Sequence, residues 1–552
     1  MFGVFVGIGV ARVVQGGLVA KSGLESAKED ITAVDFSAAS THLLTAQDGI
    51  LFAKQGASMI GFLTAVPWVG PRFDAGVAAL DATKNTIDVL KNAVTIAQSI
   101  YSVVADARAT LSWQDPNGAS VPLHDMPIEV KRALFTRLAN ALPDLRTMQV
   151  QLNLAMDDLE RFEALPDVGG MHALLSPFVT TVARLKAGID FLVPFSGIAR
   201  EFAGLNGDRQ FLLLFLNDTE LRPTGGFLGT YGLLVVRDGD MKSLTTDDAY
   251  AIDAAVQGNP AYVAPSPAPI AQYLEQPVWF FRDSTWSPDF DAGSKDATAL
   301  FRQEIAASGQ PVPEIAGTVG ITTTFLTNLL AFVGPITVEG QTFTATNASD
   351  LLEYQVEIAF EQKGIARTNR KDIVGLLTNA LLDKLLEVPP SRFQDVFALM
   401  DGSFSRKELI LSSVDASTEA VLHDAGWSGA VAQGSASDAL MVVDANMASL
   451  KSDPVVRRSI DYRIEPKNGG YQATVAITYN HEGSFDWKTS RYRTYTRVYA
   501  PAGSTLVSVD GSLLNDAIRN PQGLPGPVTT QSELGLTSFG AFTSVEPGKT
   551  RV

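Results

Sequence analysis

Apolar residues recur at spacings of three and four through the first third of the chain. Ile87, Leu90, Val94, Ala97, Tyr101 and Val104 make one such stripe; Leu145, Met148, Leu152, Met156, Leu159 and Phe162 make another. That spacing lays side chains along one helix face, so residues 24–195 are predicted to form a helical stalk or bundle whose stripes are packing core. "AVPWVGPRFDAG" (Ala65–Gly76) interrupts the pattern with two prolines and two glycines and marks a corner.

Near Ser196 the period shortens. "FLLLFL", "GLLVV", "AGTVGI" and "ELILSS" are short apolar runs bounded by turn-forming residues, and they predict strands. "DATALFRQEIAAS", "TTFLTNLLAFV" and "NRKDIVGLLTNALLDKLLEV" lie between them and predict helices. Strands alternating with helices point to an α/β sheet domain over residues 196–453. Within it, "GPITVEGQTFTATNASDLLEY" predicts a strand hairpin feeding a helix, with Asn347 or Ser349 as its cap. "PAYVAPSPAPIAQYLEQP" (Pro260–Pro277) holds five prolines and predicts a long surface loop.

After Asp453 the pattern alternates apolar with polar. "RRSIDYRIEPKNGGYQATVAITYNHEG" predicts a hairpin around "KNGG", and "YRTYTRVYAPAGSTLVSVDG" repeats the alternation about "PAG". Residues 454–552 are thus expected to be an all-β, sandwich-like module. Its last residues, "AFTSVEPGKTRV", read as a strand beginning, so the module is expected to be truncated. The fold class is multidomain α+β: an N-terminal helical bundle or stalk, a central α/β sheet domain and a C-terminal all-β module.

The first residues change the picture of location. "MFGVFVGIGVARVVQGGLVA" is apolar or glycine up to Arg12. A membrane span needs ~20 apolar residues, and a signal peptide carries its positive charge ahead of the apolar core. Neither pattern is complete, so residues 1–23 are expected to be the remnant of a transmembrane anchor. Composition adds two constraints. The net charge of −17, with no dense basic run, argues against nucleic acid as a partner. The chain has no cysteine, which excludes disulfides, thiolate metal sites and thiol nucleophiles and fits an extracytoplasmic bacterial protein. Apolar residues at 46% and charged residues at 19% are those of a folded chain, and 552 residues predict about three domains.

Candidate chemistry is sparse. The five histidines, His42, His124, His172, His423 and His481, lack the short spacing of a local metal motif, and no nucleophile-elbow or phosphate-loop motif is present. Aspartates are dense in "TTDDAYAID" and "FRDSTWSPDFD". Asp283 and Asp289 are the candidates there, either as a glycosidic acid/base pair or as ligands of a hard divalent cation. Against that stands the ordinary use of aspartate in turns and helix caps. The arginines are the stronger candidates. Arg222 leaves a strand end in "NDTELRPTGGFLGTYG", Arg282 sits among aromatics, and Arg367 and Arg370 lie three apart in "GIARTNRKD". Guanidinium groups that converge beyond strand ends, near a glycine-rich turn, would bind phosphate oxygens. The alternative is that they are salt-bridging structural arginines and that the glycines serve a tight strand pair.

With "NDTELRPTGGFLGTYG", "FRDSTWSPDFD", "GWSGAV" and "RTYTRVYAPAGS", the chain from about Leu24 to its end resembles the domain-of-unknown-function family four thousand and twelve of bacterial cell envelopes. Members begin with a transmembrane helix, which implies the same for residues 1–23. The α/β region is also similar, in its order of elements, to LytR-CpsA-Psr phosphotransferases. These transfer glycopolymers from polyprenyl pyrophosphate carriers onto peptidoglycan with the help of magnesium. That resemblance rests on "AGTVGITTTFLTNLLAFVGPITVEG", "TNASDLLEYQ" and "GIARTNRKDIVGLLTNALLDKLL". It implies pyrophosphate-binding roles for Arg222, Arg367 and Arg370, and Mg2+ as cofactor. The chain departs from the pattern where Thr224 replaces an aspartate and where "QVEIAF" follows Tyr354 in place of an arginine motif. If an enzyme, it would be a glycopolymer phosphotransferase of that kind.

The leading expectation is therefore a membrane-anchored envelope protein on the extracytoplasmic face, whose central domain binds or transfers a phosphorylated or polyprenyl-linked glycan through Arg222, Arg282, Arg367 and Arg370. Two alternatives stand beside it: a non-enzymatic structural or adhesive surface protein, and a carboxylate glycoside hydrolase built on Asp283 and Asp289.

Overall fold

The computed structural model describes residues 2–110, 123–164, 171–366, 370–388, 392–432, 438–467 and 469–552. The protein is mixed α+β and divides into two compact units. One comprises Met1–Gly207 with Arg237–Asp240 and Pro389–Phe397. The other comprises Asp208–Val236, Met241–Val388 and Ala398–Val552.

The first unit is helical: α1 (Phe2–Thr32), α2 (Phe36–Met59), α3 (Gly70–Thr110), α4 (Ile128–Asn140), α5 (Leu142–Glu163) and α6 (Met171–Phe202). Asp35 caps α2, its side chain accepting from the Ala38 amide at 2.9 Å. α1 and α2 pack through small residues. Gly9, Gly16 and Gly23 recur every seventh position, which is two helical turns, and so share a face. A Cβ on Gly16 would lie 2.4 Å from the Gly49 carbonyl oxygen, so the two backbones touch there. The stripe on α5 behaves as its period predicts. Leu145, Met148, Leu152 and Leu159 are buried in a cluster with Ala82 and Val89 of α3 and Val182 and Ile189 of α6. The α3 stripe is split: Ile87 and Val94 are buried, whereas Tyr101 is exposed and meets Phe36 edge-on at 5.7 Å. By length and composition alone, Val4–Thr32 could cross a membrane.

The second unit carries the strands. The first seven are β1 (Arg209–Asn217), β2 (Phe227–Arg237), β3 (Asp240–Asp248), β4 (Gly317–Thr322), β5 (Ile336–Val338), β6 (Gln341–Phe343) and β7 (Leu409–Ser413). Seven more follow: β8 (Met441–Asn446), β9 (Val456–Lys467), β10 (Gly470–His481), β11 (Tyr492–Ala500), β12 (Val528–Glu533), β13 (Leu536–Val545) and β14 (Thr550–Arg551). Its helices are α7 (Ala249–Val256), α8 (Ala268–Tyr273), α9 (Phe290–Ala307), α10 (Thr323–Val333), α11 (Ala348–Tyr354), α12 (Phe360–Gln362), α13 (Asp372–Leu386), α14 (Phe393–Ser405, of which residues up to Phe397 belong to the first unit) and α15 (Ala416–Asp424).

The four expected strands of the central region all form, in a five-stranded sheet ordered β3-β2-β1-β4-β7. Only β1 and β4 run parallel, with Phe211 opposite Gly317 and Leu216 opposite Thr322. β2 and β7 flank them antiparallel. Leu212, Leu214 and Leu216 of β1 pack with Phe290, Ala297, Leu300 and Phe301 of α9.

Three local expectations are corrected. Pro260–Pro277 is not simply a surface loop: it contains α8, and Tyr262, Ile270 and Tyr273 are buried because their apolar side chains fill the core. Asn347 stands at the start of α11, but its side chain closes the preceding turn instead, accepting from Thr344 N at 2.7 Å and donating to Thr342 O at 3.0 Å. Residues 504–511, after "PAG", form no strand, because both edges of β11 are already taken by β13 and β8.

The hairpin around residues 467–470 forms as expected between β9 and β10. The strands after residue 440 make two antiparallel sheets, ordered β12-β13-β11-β8 and β14-β10-β9. Val456, Tyr479, Tyr492 and Val545 bury a cluster shared by both. β8, which precedes the expected module boundary at 453, belongs to the first of these sheets.

Candidate functional site

The carboxyl ends of the parallel pair open onto a cavity of about 320 Å3. That is where ligands collect in open α/β sheets. Leu216 of β1 and Ile321 of β4 form its base. Phe325, Leu326 and Leu329 of α10, Leu352 of α11, Val356 just after it, and Val374, Leu377, Leu381 and Leu382 of α13 make an apolar wall. Polar groups gather at the rest of the lining: Glu220, Tyr250, Glu353, Glu357, Arg370, Lys371 and Lys451. A π-helical turn over Gln355–Ala359 breaks the register between α11 and α12, so that Val356 and Glu357 both reach the lining.

The glycine-rich stretch builds one side of this cavity. Gly225 has a φ of 130°, which a side chain would resist. A Cβ on Gly226 would meet the Asn217 backbone at 2.5 Å. The loop thus folds tightly back on the end of β1, closed by Gly225 N to Arg222 O and Phe227 N to Glu220 O, both at 2.9 Å. Gly229 has a further use. Its missing side chain leaves room for the Lys371 ammonium, which donates to the Gly229 carbonyl.

Charges around the cavity are linked in one network. Asp248 caps α7 through Tyr250 N at 3.0 Å, and the same carboxylate receives Lys371 Nζ at 2.7 Å and Arg370 Nε at 3.4 Å. Arg370 also pairs with Glu357 at 3.1 Å. The Tyr250 ring lies 4.9 Å from the Arg282 guanidinium, 5.8 Å from Arg370 and 5.2 Å from the Lys371 ammonium. Arg282 holds Asp253 at 2.6 Å and Asp283 at 3.4 Å. Arg222 is buried between Asp283 at 3.6 Å and Glu220 at 3.7 Å. Lys451 completes the set, 2.6 Å from the other Glu220 oxygen.

Burial pulls the Lys371 pKa below its ordinary value, against the field of Asp248. Burial also opposes the charge on Lys451, but Glu220 and Glu353 outweigh it and raise its pKa. Behind the network, burial pushes Glu304 up to about 8 and Asp253 up to about 6. Glu304 Oε2 and Asp253 Oδ1 otherwise lack partners, so one proton held between the two carboxyls satisfies both.

Of the four arginines singled out by sequence, Arg222, Arg282 and Arg370 fall in this one network. Arg370 alone of these lines the cavity; Arg222 and Arg282 stand behind it. Arg370 precedes α13, which begins at Asp372, and Arg367 lies outside the described residues. Sequence reasoning missed Lys371, Lys451, Tyr250 and Glu220. Lys371 adjoins Arg370 in "RTNRKD"; nothing local marked Lys451.

Asp283 and Asp289 do not form an open pair. Asp289 caps α9, with Oδ1 accepting from Ala292 N at 2.9 Å and Oδ2 from Val431 N at 2.8 Å. Asp283 is buried between two guanidinium groups, and burial raises its pKa despite them. Among the described residues no group of three or more His, Asp or Glu could hold a metal ion. The candidate pair offers Mg2+ little: both Asp289 oxygens accept from backbone amides, and Asp283 faces Arg222 and Arg282.

Residues 206–356 match the family described as protein of unknown function (DUF4012). The match is shorter than the stretch from Leu24 onward that the sequence motifs suggested. It contains Arg222, Arg282, Tyr250 and the parallel strand pair, while Arg370, Lys371 and Lys451 lie beyond the DUF4012 segment. No curated protein and no solved structure matches the chain.

Proposed function

We propose that the chain is a membrane-anchored, extracytoplasmic envelope protein whose central domain binds an anionic amphiphile, a phosphorylated or polyprenyl-linked glycan. One observation carries this reading: a cavity walled by leucines, valine and phenylalanine that ends in Arg370, Lys371 and Lys451. An apolar wall suits a prenyl chain, and adjoining cations suit a phosphate. The volume, about 320 Å3, falls in the ~300–1,000 Å3 range of small-molecule sites. In this proposal Arg370, Lys371 and Lys451 meet the phosphate, and Arg222 and Arg282 position them through Glu220, Asp283 and Tyr250. The parallel β1–β4 pair with the cavity at its carboxyl ends supports a LytR-CpsA-Psr-like central domain. The cluster shared by the last two sheets supports a sandwich-like module. The apolar α1 and the absence of cysteine support the location.

Binding rather than transfer is the reading we favour, because Glu220, Asp248, Asp283 and Glu357 are each held in ion pairs with the cations and Glu353 accepts from Asn217. The same balance of charge favours a second reading, a structural or adhesive protein in which the network serves folding. A thermal-shift titration separates the two. A short-chain prenyl pyrophosphate should stabilise the protein while inorganic pyrophosphate alone does not. Saturation at a hundred times Kd corresponds to about 2.7 kcal/mol. No shift with the prenyl compound would favour the structural reading.

A further inference from the structure

Two uncharged stretches of the first unit meet in space. Residues 2–11 read FGVFVGIGVA, and residues 55–71 read QGASMIGFLTAVPWVGP. α1 and α2 run side by side in opposite directions, since Gly9 lies against Gly56 and Ile60 while Gly23 lies against His42 and Ala46. The start of α1 and the corner after α2 therefore share one end of the helix pair. That end is apolar and faces outward: Val4 is 67% exposed and Trp68 84%, with Phe5, Ile8, Phe62 and Val66 also exposed. Trp68 is held there with a φ of 72°, a conformation that bulky residues rarely adopt. Charge begins just behind it. Arg12 lies against Gly56, Lys54 pairs with Asp81 of α3, and Arg72 is exposed at the start of α3.

We propose that this end is a lipid-inserting tip, in which the corner carrying Phe62, Val66 and Trp68 enters the bilayer beside the first turns of α1. The inference rests on the membrane association proposed above and adds a second, non-contiguous element to it. From Val4 to Ala11 a helix rises about 12 Å at ~1.5 Å per residue. That span, closed behind by Arg12, matches the depth of one leaflet of a ~30 Å hydrocarbon core. Deeper entry would draw the Lys54–Asp81 pair into hydrocarbon, which is costly. Trp68 then sits where tryptophan concentrates in membrane proteins, and Arg12 and Arg72 lie at the level of anionic headgroups.

Because the chain has no cysteine, single labels report each place cleanly. The full chain carrying Phe5→Cys, Trp68→Cys or Leu44→Cys, all exposed positions, is labelled with a polarity-sensitive fluorophore. Each is mixed with vesicles of equal parts phosphatidylcholine and phosphatidylglycerol, with or without nitroxide-bearing lipid. The labels at 5 and 68 should both shift to the blue and be quenched by the nitroxide, while the label at 44 should remain in water. A label at 68 that stays in water while that at 5 is quenched overturns the tip and leaves the α1 anchor standing. Quenching at 44 equal to that at 5 also overturns it, in favour of α1 crossing along its length. No response at 5 or 68 removes both the tip and the anchor.

Discussion

The ammonium of Lys371 lies 2.7 Å from Asp248 Oδ1, and both side chains are buried. Asp248 therefore ties the cation at the cavity to the first turn of α7. Removing one partner leaves the other charge buried and unpaired, which costs about 3–5 kcal/mol. Asp248→Ala should lose that much stability in denaturant unfolding. Lys371→Met combined with it should recover part of the loss, with a coupling of about 0.5–3 kcal/mol. Additive losses would mean that the pair does not act as a unit.

Glu304 makes stability depend on pH between 4.5 and about 8. Its folded pKa is raised from 4.5 to about 8 by burial and by Asp253. Between these values the folded protein keeps a proton that the unfolded chain releases. The associated stability is fully present below pH 4.5 and is lost as pH rises towards 8. Glu304→Gln keeps an acceptor for Phe281 N and Tyr262 and offers Asp253 a permanent donor. It should flatten the fall in melting temperature across that window. An unchanged slope would place the proton elsewhere.

Neighbouring glycines on α1 should respond in opposite ways. A Cβ at Gly16 meets the Gly49 carbonyl at 2.4 Å, whereas one at Gly17 meets nothing within 4 Å. Gly16→Ala should force α1 and α2 apart and destabilise the unit. Gly17→Ala should be neutral or stabilising by about 0.5–1 kcal/mol, because alanine favours a helix interior. Helicity and melting temperature of the two variants check this, and equal behaviour would refute the close packing.

Magnesium should leave the ligand-free protein unaffected. Asp289 has both oxygens on backbone amides and Asp283 faces two arginines. Adding Mg2+ or a chelator should not move the melting temperature. A magnesium-dependent rise would mean that carboxylates other than Asp283 and Asp289 hold the ion.

The sheet was legible because its apolar runs are short and bounded: "FLLLFL" and "AGTVGI" fall within or across β1 and β4. The α5 stripe was legible because Leu145, Met148 and Leu152 keep helical spacing for several turns. The tight turn at Gly225 and Gly226 could be expected from composition, but the role of Gly229 could not, since it depends on where Lys371 arrives. Arg370 was found through its arginine spacing, yet Lys371 beside it carried no pattern. Lys451 meets Glu220 across 231 positions, a distance at which periodicity carries no information. Asp283 and Asp289 looked like a pair because they are close in sequence; burial and capping separate their roles.

Photocrosslinking shows whether the cavity beyond β1 and β4 holds a prenyl phosphate. A prenyl phosphate bearing a diazirine in its chain is irradiated with the full protein, and the adducts are mapped by mass spectrometry. Adducts are expected on the wall of the cavity, at Leu329, Val374, Leu377 or Leu381, and are lost with Lys371→Ala but not with Trp68→Ser. Adducts confined to α1 or to the strands after residue 440, and indifferent to Lys371, would contradict it.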